Sequence, residues 1–291
     1  MYIKLEDSMI EYIKMIIISL ISSVMMPLPV SSSAHTSFLN KALSYTTDGS
    51  VLAFYYAVFS LAFCVVVFFN LRKIYSKVVT SFFTSKAKST KTVSAYKKVG
   101  RNILLSLIPL AILYIPVNDE LLIIDYFDKF LSSSGLLLSA FTSIMSSFVI
   151  VIAMWYTKQK NAPLKRAANT KTVMRSAFYE LVAFGVPGMS KITLGSVNML
   201  ICDIEPRVIM REVYLYVTPQ IFIVSLIKII RGLVIDLVVD PLAIIIGAVI
   251  GIIATAVIIH FVSRVNMRKL LGFFAAYSAV FAAATFIMSL V

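Results

Sequence analysis

Two short runs in the sequence carry the side chains from which a phosphate site can be built, and a proline interrupts the helix at each. The first reads Leu28-Pro29-Val30-Ser31-Ser32-Ser33-Ala34-His35. Three consecutive hydroxyls at a helix start, beside backbone N–H groups with no helical partner, accept an anion such as phosphate. His35 lies three residues after Ser32, so on a helix beginning there the two can face one cavity. A serine beside an imidazole is a nucleophile with its base, or both bind phosphate. The spacing fits a plainer arrangement equally: the serines cap the half-helix and His35 bonds a neighbouring carbonyl.

The second run, Pro187-Gly188-Met189-Ser190-Lys191-Ile192-Thr193, adds a cation to two hydroxyls. An intramembrane lysine beside a helix break is costly and reads as part of a site, unless it snorkels to the interface. Glu180, two helical turns before Pro187, faces either the cavity or the cytoplasmic surface. Lys228 and Arg231 are further candidate phosphate ligands, with snorkelling as the favoured reading. Ser139, Ser143 and Ser147 form a small-residue stripe of the kind that packs helices. Trp155 and Tyr156 read as interfacial belt aromatics, and His260 as interfacial.

The elements that must position these residues are membrane helices. Of 291 residues, 59% are hydrophobic and 14% charged, and the mean hydropathy is +0.92, which excludes a water-soluble domain. Spans are expected at about 51–71, 99–116, 131–155, 212–235, 241–262 and 270–291. Residues 10–44 and 176–205 are apolar but broken by Pro29 and Pro187, so each reads as a re-entrant hairpin whose freed backbone groups need a protein-lined cavity. A cleaved export signal over Met15–Met26 is disfavoured, because Lys4 and Lys14 are outnumbered by Glu6, Asp7 and Glu11. Cys64 and Cys202 lie in apolar segments and support neither a disulfide framework nor a zinc site.

The net charge of +13 is concentrated in segments without acids: nine cations from Arg72 to Arg101, six from Lys158 to Arg175, and Arg264, Arg268 and Lys269. That is the signature of cytoplasmic loops rather than of a nucleic-acid surface. The loop at 117–130, with Asp119, Glu120, Asp125 and Asp128, then falls outside, as do both termini. The expected fold is an all-α polytopic membrane protein forming a single domain over 1–291. Each half, 10–156 and 176–291, holds one re-entrant hairpin plus three transmembrane helices, and basic loops occupy 72–101 and 157–175. The halves have opposite orientation, as in inverted-repeat transporters. Aligning the prolines pairs Ser32 with Ser190 and His35 with Thr193.

The run Leu28-Pro29-Val30-Ser31-Ser32 with His35 resembles the signature of the bacterial undecaprenyl-pyrophosphate phosphatases of the bacitracin-resistance type. Pro187-Gly188-Met189-Ser190-Lys191 is similar to that family's Pro-Gly-x-Ser-Arg motif, and a family-typical proline follows at Pro219. The resemblance covers nearly the whole chain, with identity concentrated in the first motif. It implies hydrolysis of a lipid pyrophosphate to the lipid phosphate for cell-wall carrier recycling, a bacterial plasma-membrane location, and a divalent cation, Mg or Ca. With it, and with the residues read above, Ser32, His35 and Glu180 are the candidate catalytic residues, Glu180 by repeat symmetry and not by the family pattern; Ser31, Ser33, Ser190, Lys191 and Thr193 are the candidate phosphate ligands.

Departures from the family pattern bear on the chemistry. Its two glutamates, seven and three residues before the first proline, are Ser22 and Met26 here. Its arginine is Lys191, which keeps the charge but not the bidentate fork, and the Ser-Gly after it is Ile192-Thr193. Loss of both carboxylates removes groups that would hold a cation or take a proton. Glu180 stands seven residues before Pro187, at the position repeat-symmetric to Ser22, and is the one visible substitute. The alternative function is therefore a non-catalytic binder or flippase of polyprenyl phosphates; an ion-coupled carrier of small anions is a third. The expected partners are a polyprenyl pyrophosphate or phosphate lipid and the membrane, without nucleic acid, and a homodimer is one assembly open to the chain.

Overall fold

The computed structural model describes residues 2–46, 48–84, 90–118, 121–160, 162–186 and 188–290, without the side chains of 2–8 and 127–134. Pro187, Asp119 and Glu120 lie outside the described residues, as do the side chains of Lys4, Glu6, Asp7, Asp128 and Lys129. The elements are α1 (Tyr2–Met25), α2 (Ser32–Leu43), α3 (Gly49–Asn70), α4 (Arg72–Phe83), α5 (Lys91–Leu107), a 3-10 segment (Ile108–Tyr114), α6 (Ile123–Lys158), α7 (Thr170–Gly185), α8 (Lys191–Ile201), α9 (Ile209–Val234), α10 (Pro241–Val262) and α11 (Met267–Leu290). Two isolated bridges are the only β pairing among the described residues.

Local sequence sets most boundaries. Asp48, Asn169 and Asp240 each accept a backbone N–H two or three residues on, at 2.7–2.8 Å, and so start α3, α7 and α10. Pro241 at the first turn of α10 donates nothing that the helix needs there. α3, α9, α10, α11 and the part of α6 from Gly135 to Lys158 are long and apolar enough to cross a bilayer.

The span expected at 99–116 is not one α-helix. α5 ends at Leu107, and Pro109 sits in the 3-10 turn that follows. A proline there withholds an N–H from the preceding turn, and the tighter 3-10 winding replaces it. Residues 123–130, expected in the external loop, belong to the first turns of α6, which bends at Gly135 with φ +53°. That backbone conformation suits a residue without Cβ. The first basic loop is likewise partly helical, holding α4 and the start of α5.

α9 is the central element. Val213, Tyr214, Leu215, Tyr216, Val217 and Ile221 are buried with Phe63, Cys64 and Val67 of α3 and with Met26, Leu28, Val30 and Ile192 of the two breaks. α3 packs along α9, and α6 along α11. α1 lies against α2 and α10, α7 against α8 and α5, and α3 and α9 contact α10 and α5 respectively. In the serine stripe, Ser139 and Ser143 are buried and Ser147 Oγ donates to Ala275 O of α11 at 2.8 Å, a packing role as expected. Trp155 and Tyr156 are exposed at the end of α6, and His260 is exposed near the end of α10.

Candidate functional site

Both expected breaks exist: α1 ends at Met25 and α2 starts at Ser32, while α7 ends at Gly185 and α8 starts at Lys191. Their freed backbone groups find partners inside the protein. Tyr214 of α9 donates its hydroxyl to Pro27 O at 2.7 Å, and the turn is closed by Leu28 N to Met25 O and Val30 N to Leu28 O. Such groups could not stay unpaired away from water.

The two half-helices begin the same way. Ser31 caps α2 by accepting from Ala34 N at 3.2 Å, and Ser190 caps α8 by accepting from Thr193 N at 3.1 Å. The capping serines thus put Ser31, rather than Ser32, in register with Ser190. Gly188 precedes the second cap with φ +80°, and its backbone lies so close to Ser139 and Thr142 of α6 that a Cβ would collide. Only glycine combines that conformation with that approach.

One small cavity is lined from both breaks: Met26, Val30, Ser32 and Ser33 on one side, Met189, Ser190, Lys191 and Ile192 on the other, closed by Tyr56 of α3 and Ile221 of α9. The cavity volume between these atoms is about 10 Å³, room for roughly one water molecule. A phosphate enters it only if lining side chains move, and an isoprenoid tail would lie outside it.

Ser32 is buried, and its hydroxyl meets Tyr56 Oη at 2.8 Å and Met26 Sδ at 3.3 Å. Tyr56 Oη and Ser60 Oγ approach the same sulfur at 3.8 and 4.0 Å. Ser33 lines the cavity and bonds the Ser31 hydroxyl at 3.1 Å. The Lys191 ammonium lies 4.6 Å from the centre of the Phe184 ring. It has no acidic or hydrogen-bonding partner among the described residues. Lys228 is near enough to interact electrostatically with both Tyr56 and Lys191, whereas Arg231 is paired with Asp125 at 2.7 Å.

Four candidates are not in the cavity lining: Ser31, which caps α2, and His35, Glu180 and Thr193. His35 is buried against α11, with Nδ1 2.6 Å from Ser31 O, Nε2 2.7 Å from the Tyr277 hydroxyl, and its ring stacked 3.7 Å from that of Phe281. Both nitrogens are engaged, so the Ser32–His35 pair is not formed here; the plainer arrangement, a capping serine and a carbonyl-bonded histidine, describes Ser31 and His35. Glu180 is buried between α7, α8 and α9, accepting from Ser176 Oγ and Gln220 Nε2, each at 2.8 Å, and touching the position a Gly195 Cβ would take. It is not among the cavity's lining residues. Thr193 is buried with its hydroxyl unpaired, one of a set with Ser196 and Thr218.

Sequence reasoning missed Tyr56. Its signal was available: a tyrosine in the middle of an apolar span must find a partner for its hydroxyl, and that partner is normally a polar site.

The lining does not fit a divalent cation. It offers hydroxyls, a thioether and one ammonium, with no carboxylate, and no group of three His, Cys, Asp or Glu able to hold a metal occurs among the described residues. Hard cations want several anionic or carbonyl oxygens, and the Lys191 charge opposes a second positive one.

Comparison with known proteins places these features in one context. The family model for bacitracin resistance protein BacA matches residues 15–284, which include both breaks and all three serines of the first. Undecaprenyl-diphosphatase 1 of Pseudoalteromonas translucida (strain TAC 125) is 27% identical over 259 residues, covering 88% of this chain and 90% of that protein.

Proposed function

The chain belongs to the bacitracin resistance protein BacA family, and on that premise we propose that it is a membrane phosphatase that hydrolyses undecaprenyl or a similar polyprenyl pyrophosphate to the lipid phosphate. The observation that carries this reading is the single cavity in which Ser32, Ser33 and Ser190 face the unpaired ammonium of Lys191. Hydroxyls and two helix N-termini suit phosphate oxygens, and a lysine without a counter-ion awaits an anion.

In this reading the terminal phosphoryl group sits on Ser32, Ser33 and Ser190. Ser32 acts as nucleophile or primary phosphate ligand, and Lys191 stabilises charge on the transferred group. The bond between the terminal phosphorus and the bridging oxygen breaks, water supplies the new oxygen, and lipid phosphate leaves. Tyr56 is the group in hydrogen-bonding contact with Ser32 and stands where His35 was expected. His35 joins only if it leaves Ser31 and Tyr277. Glu180 joins only if the second hairpin shifts.

The inverted repeat has support in the packing. With α1, α2, α3, α5 and α6 matched to α7, α8, α9, α10 and α11, each main contact has a counterpart: α1–α2 with α7–α8, α1–α10 with α7–α5, and α3–α10 with α9–α5, while α3–α9 and α6–α11 cross the axis. Ser22 meets Thr36 within the first hairpin as Glu180 meets Gly195 within the second. The basic segments then lie in the cytoplasm, and both termini outside a bacterial plasma membrane.

One observation favours a second reading. Met26 puts a thioether, and Ser22 a hydroxyl closed on Thr36 at 2.7 Å, where catalytic members of the family are read to carry glutamates. A cradle that keeps its phosphate ligands without a carboxylate suits a binder or flippase of polyprenyl phosphates. Purified protein in detergent, given polyprenyl pyrophosphate with and without Mg or Ca, separates the two. Phosphate release abolished by Ser32→Ala supports the enzyme. Lipid binding without release under any condition replaces it with the carrier. Light scattering of the same sample reads whether the chain is a homodimer.

A further inference from the structure

On the far side of α9 from the cavity lies a second, larger hollow of about 430 Å³, lined almost wholly by carbon. Val78, Val79 and Phe82 of α4, Ile103 and Leu104 of α5, and Phe222 of α9 are among its walls. Val79, Phe82 and Leu104 are exposed there, so nothing in the fold fills the space. Gly100 keeps the groove's shape: a side chain there would strike Phe82 and Val78, so glycine lets α4 and α5 approach. Two arginines flank this wall. Arg72 stands one turn before Tyr75 on the α4 stripe that carries Val79, and Arg101 stands three residues before Leu104 on α5. Both guanidinium groups are exposed and make no ion pair among the described residues. No Asp or Glu occurs in the sequence between Asp48 and Asp119.

We propose that this groove is a binding site for an anionic phospholipid, with an acyl chain against the α4–α5–α9 wall and its phosphate on Arg72 and Arg101. Apolar walls alone would accept any lipid. The two arginines select for negative charge, since a guanidinium fork pairs with phosphate oxygens and no acid competes. The site is independent of the phosphatase reading, because it lies across α9 from the headgroup cavity. α9 connects them: Ile221 lines the cavity while Pro219, Phe222 and Ile223 line the groove.

Native mass spectrometry of the detergent-solubilised protein, with phosphatidylglycerol and phosphatidylcholine of identical chains added in equal amounts, tests the site. Phosphatidylglycerol is expected to be retained at least about tenfold over phosphatidylcholine, about what two interfacial cations contribute. Two variants should each abolish the preference: Arg72→Gln with Arg101→Gln removes the charges, and Val79→Trp fills the groove from an exposed position. Unchanged unfolding temperatures would show that both remain folded. Equal retention of the two lipids overturns the proposal, as does a preference that survives either folded variant. Displacement of phosphatidylglycerol by equimolar polyprenyl phosphate would reassign the groove to the tail of that lipid and also overturn it.

Discussion

At the first break the hydroxyls of Ser32 and Tyr56 approach the sulfur of Met26, an atom that accepts weakly, while Ser60 donates to Tyr56 O at 2.8 Å. A carboxylate could take the protons of Ser32 and Tyr56, with the Lys191 ammonium on the opposite wall of the same cavity. Met26→Glu should therefore raise phosphate release, by up to about 10²-fold if the new carboxylate works as a general base, and should make release respond to divalent cation. A folded, lipid-binding Met26→Glu protein with unchanged release and no metal response would show that the missing carboxylate is not what limits the site. Lys191 tests the other wall. Lys191→Ala should lower kcat/KM by at least about 2 kcal/mol, the scale of a charged hydrogen bond, and Lys191→Arg should preserve or raise it by restoring the fork. Kinetics of Lys191→Ala within twofold of the parent would remove Lys191 from the reaction.

The helix that separates cavity from groove carries a built-in defect. Pro219 has no N–H to give Leu215 O, and the Tyr75 hydroxyl of α4 donates to that carbonyl instead, at 3.2 Å. Around the same bend Gln220 Nε2 donates to Tyr216 O at 3.3 Å and the Cys64 thiol approaches Thr218 O at 3.6 Å. Neighbouring helices thus take up carbonyls that the proline disturbs, which is what a bilayer requires of a broken span. Tyr75→Phe should cost about 1–3 kcal/mol in a reversible unfolding measurement in mixed micelles, because it leaves a buried carbonyl unpaired. In a Pro219→Ala background the same change should cost much less, since the alanine N–H can reach Leu215 O. Equal costs in the two backgrounds would mean that Tyr75 stabilises by something other than that bond.

For the molecule as a whole, orientation is the property that charge pattern implies and packing modifies. The second basic segment is tied down by acids: Lys160 bonds Asp203 at 2.8 Å, and Ala168 N donates to Glu212 at 3.0 Å. Ala168 is consequently buried and a poor place for a labelling cysteine. Arg166, whose side chain is 93% exposed, and Val238, 91% exposed in the turn before α10, are better. On a background lacking Cys64 and Cys202, Arg166→Cys should resist a membrane-impermeant thiol reagent in intact cells, and Val238→Cys should react. The reverse pattern would invert the topology and move the groove arginines to the outer face.

Much of this protein was legible in the chain. An apolar run of about 20 residues becomes a helix in a bilayer because only as a helix does a single segment satisfy its own backbone polar groups, a barrel needing several paired strands, so the spans at 49–70, 135–158, 209–234, 241–262 and 267–290 were foreseen nearly to their ends. Proline withholds a donor wherever it stands, so both breaks were foreseen too, and Ser32, Ser33 and Ser190 beside them line one cavity. What the sequence could not decide was direction. Ser32 and His35 are three residues apart in a helix, a spacing that allows one shared face, yet Ser32 turns to Tyr56 while Tyr277 and Phe281 hold His35 on another side. Glu180 has the right offset from its proline, but Ser176 and Gln220 anchor it between α7, α8 and α9. The partners that settle these orientations come from α3, α9 and α11, dozens to hundreds of residues away. A buried polar group goes where its hydrogen bonds are, and those are fixed only when the helices pack.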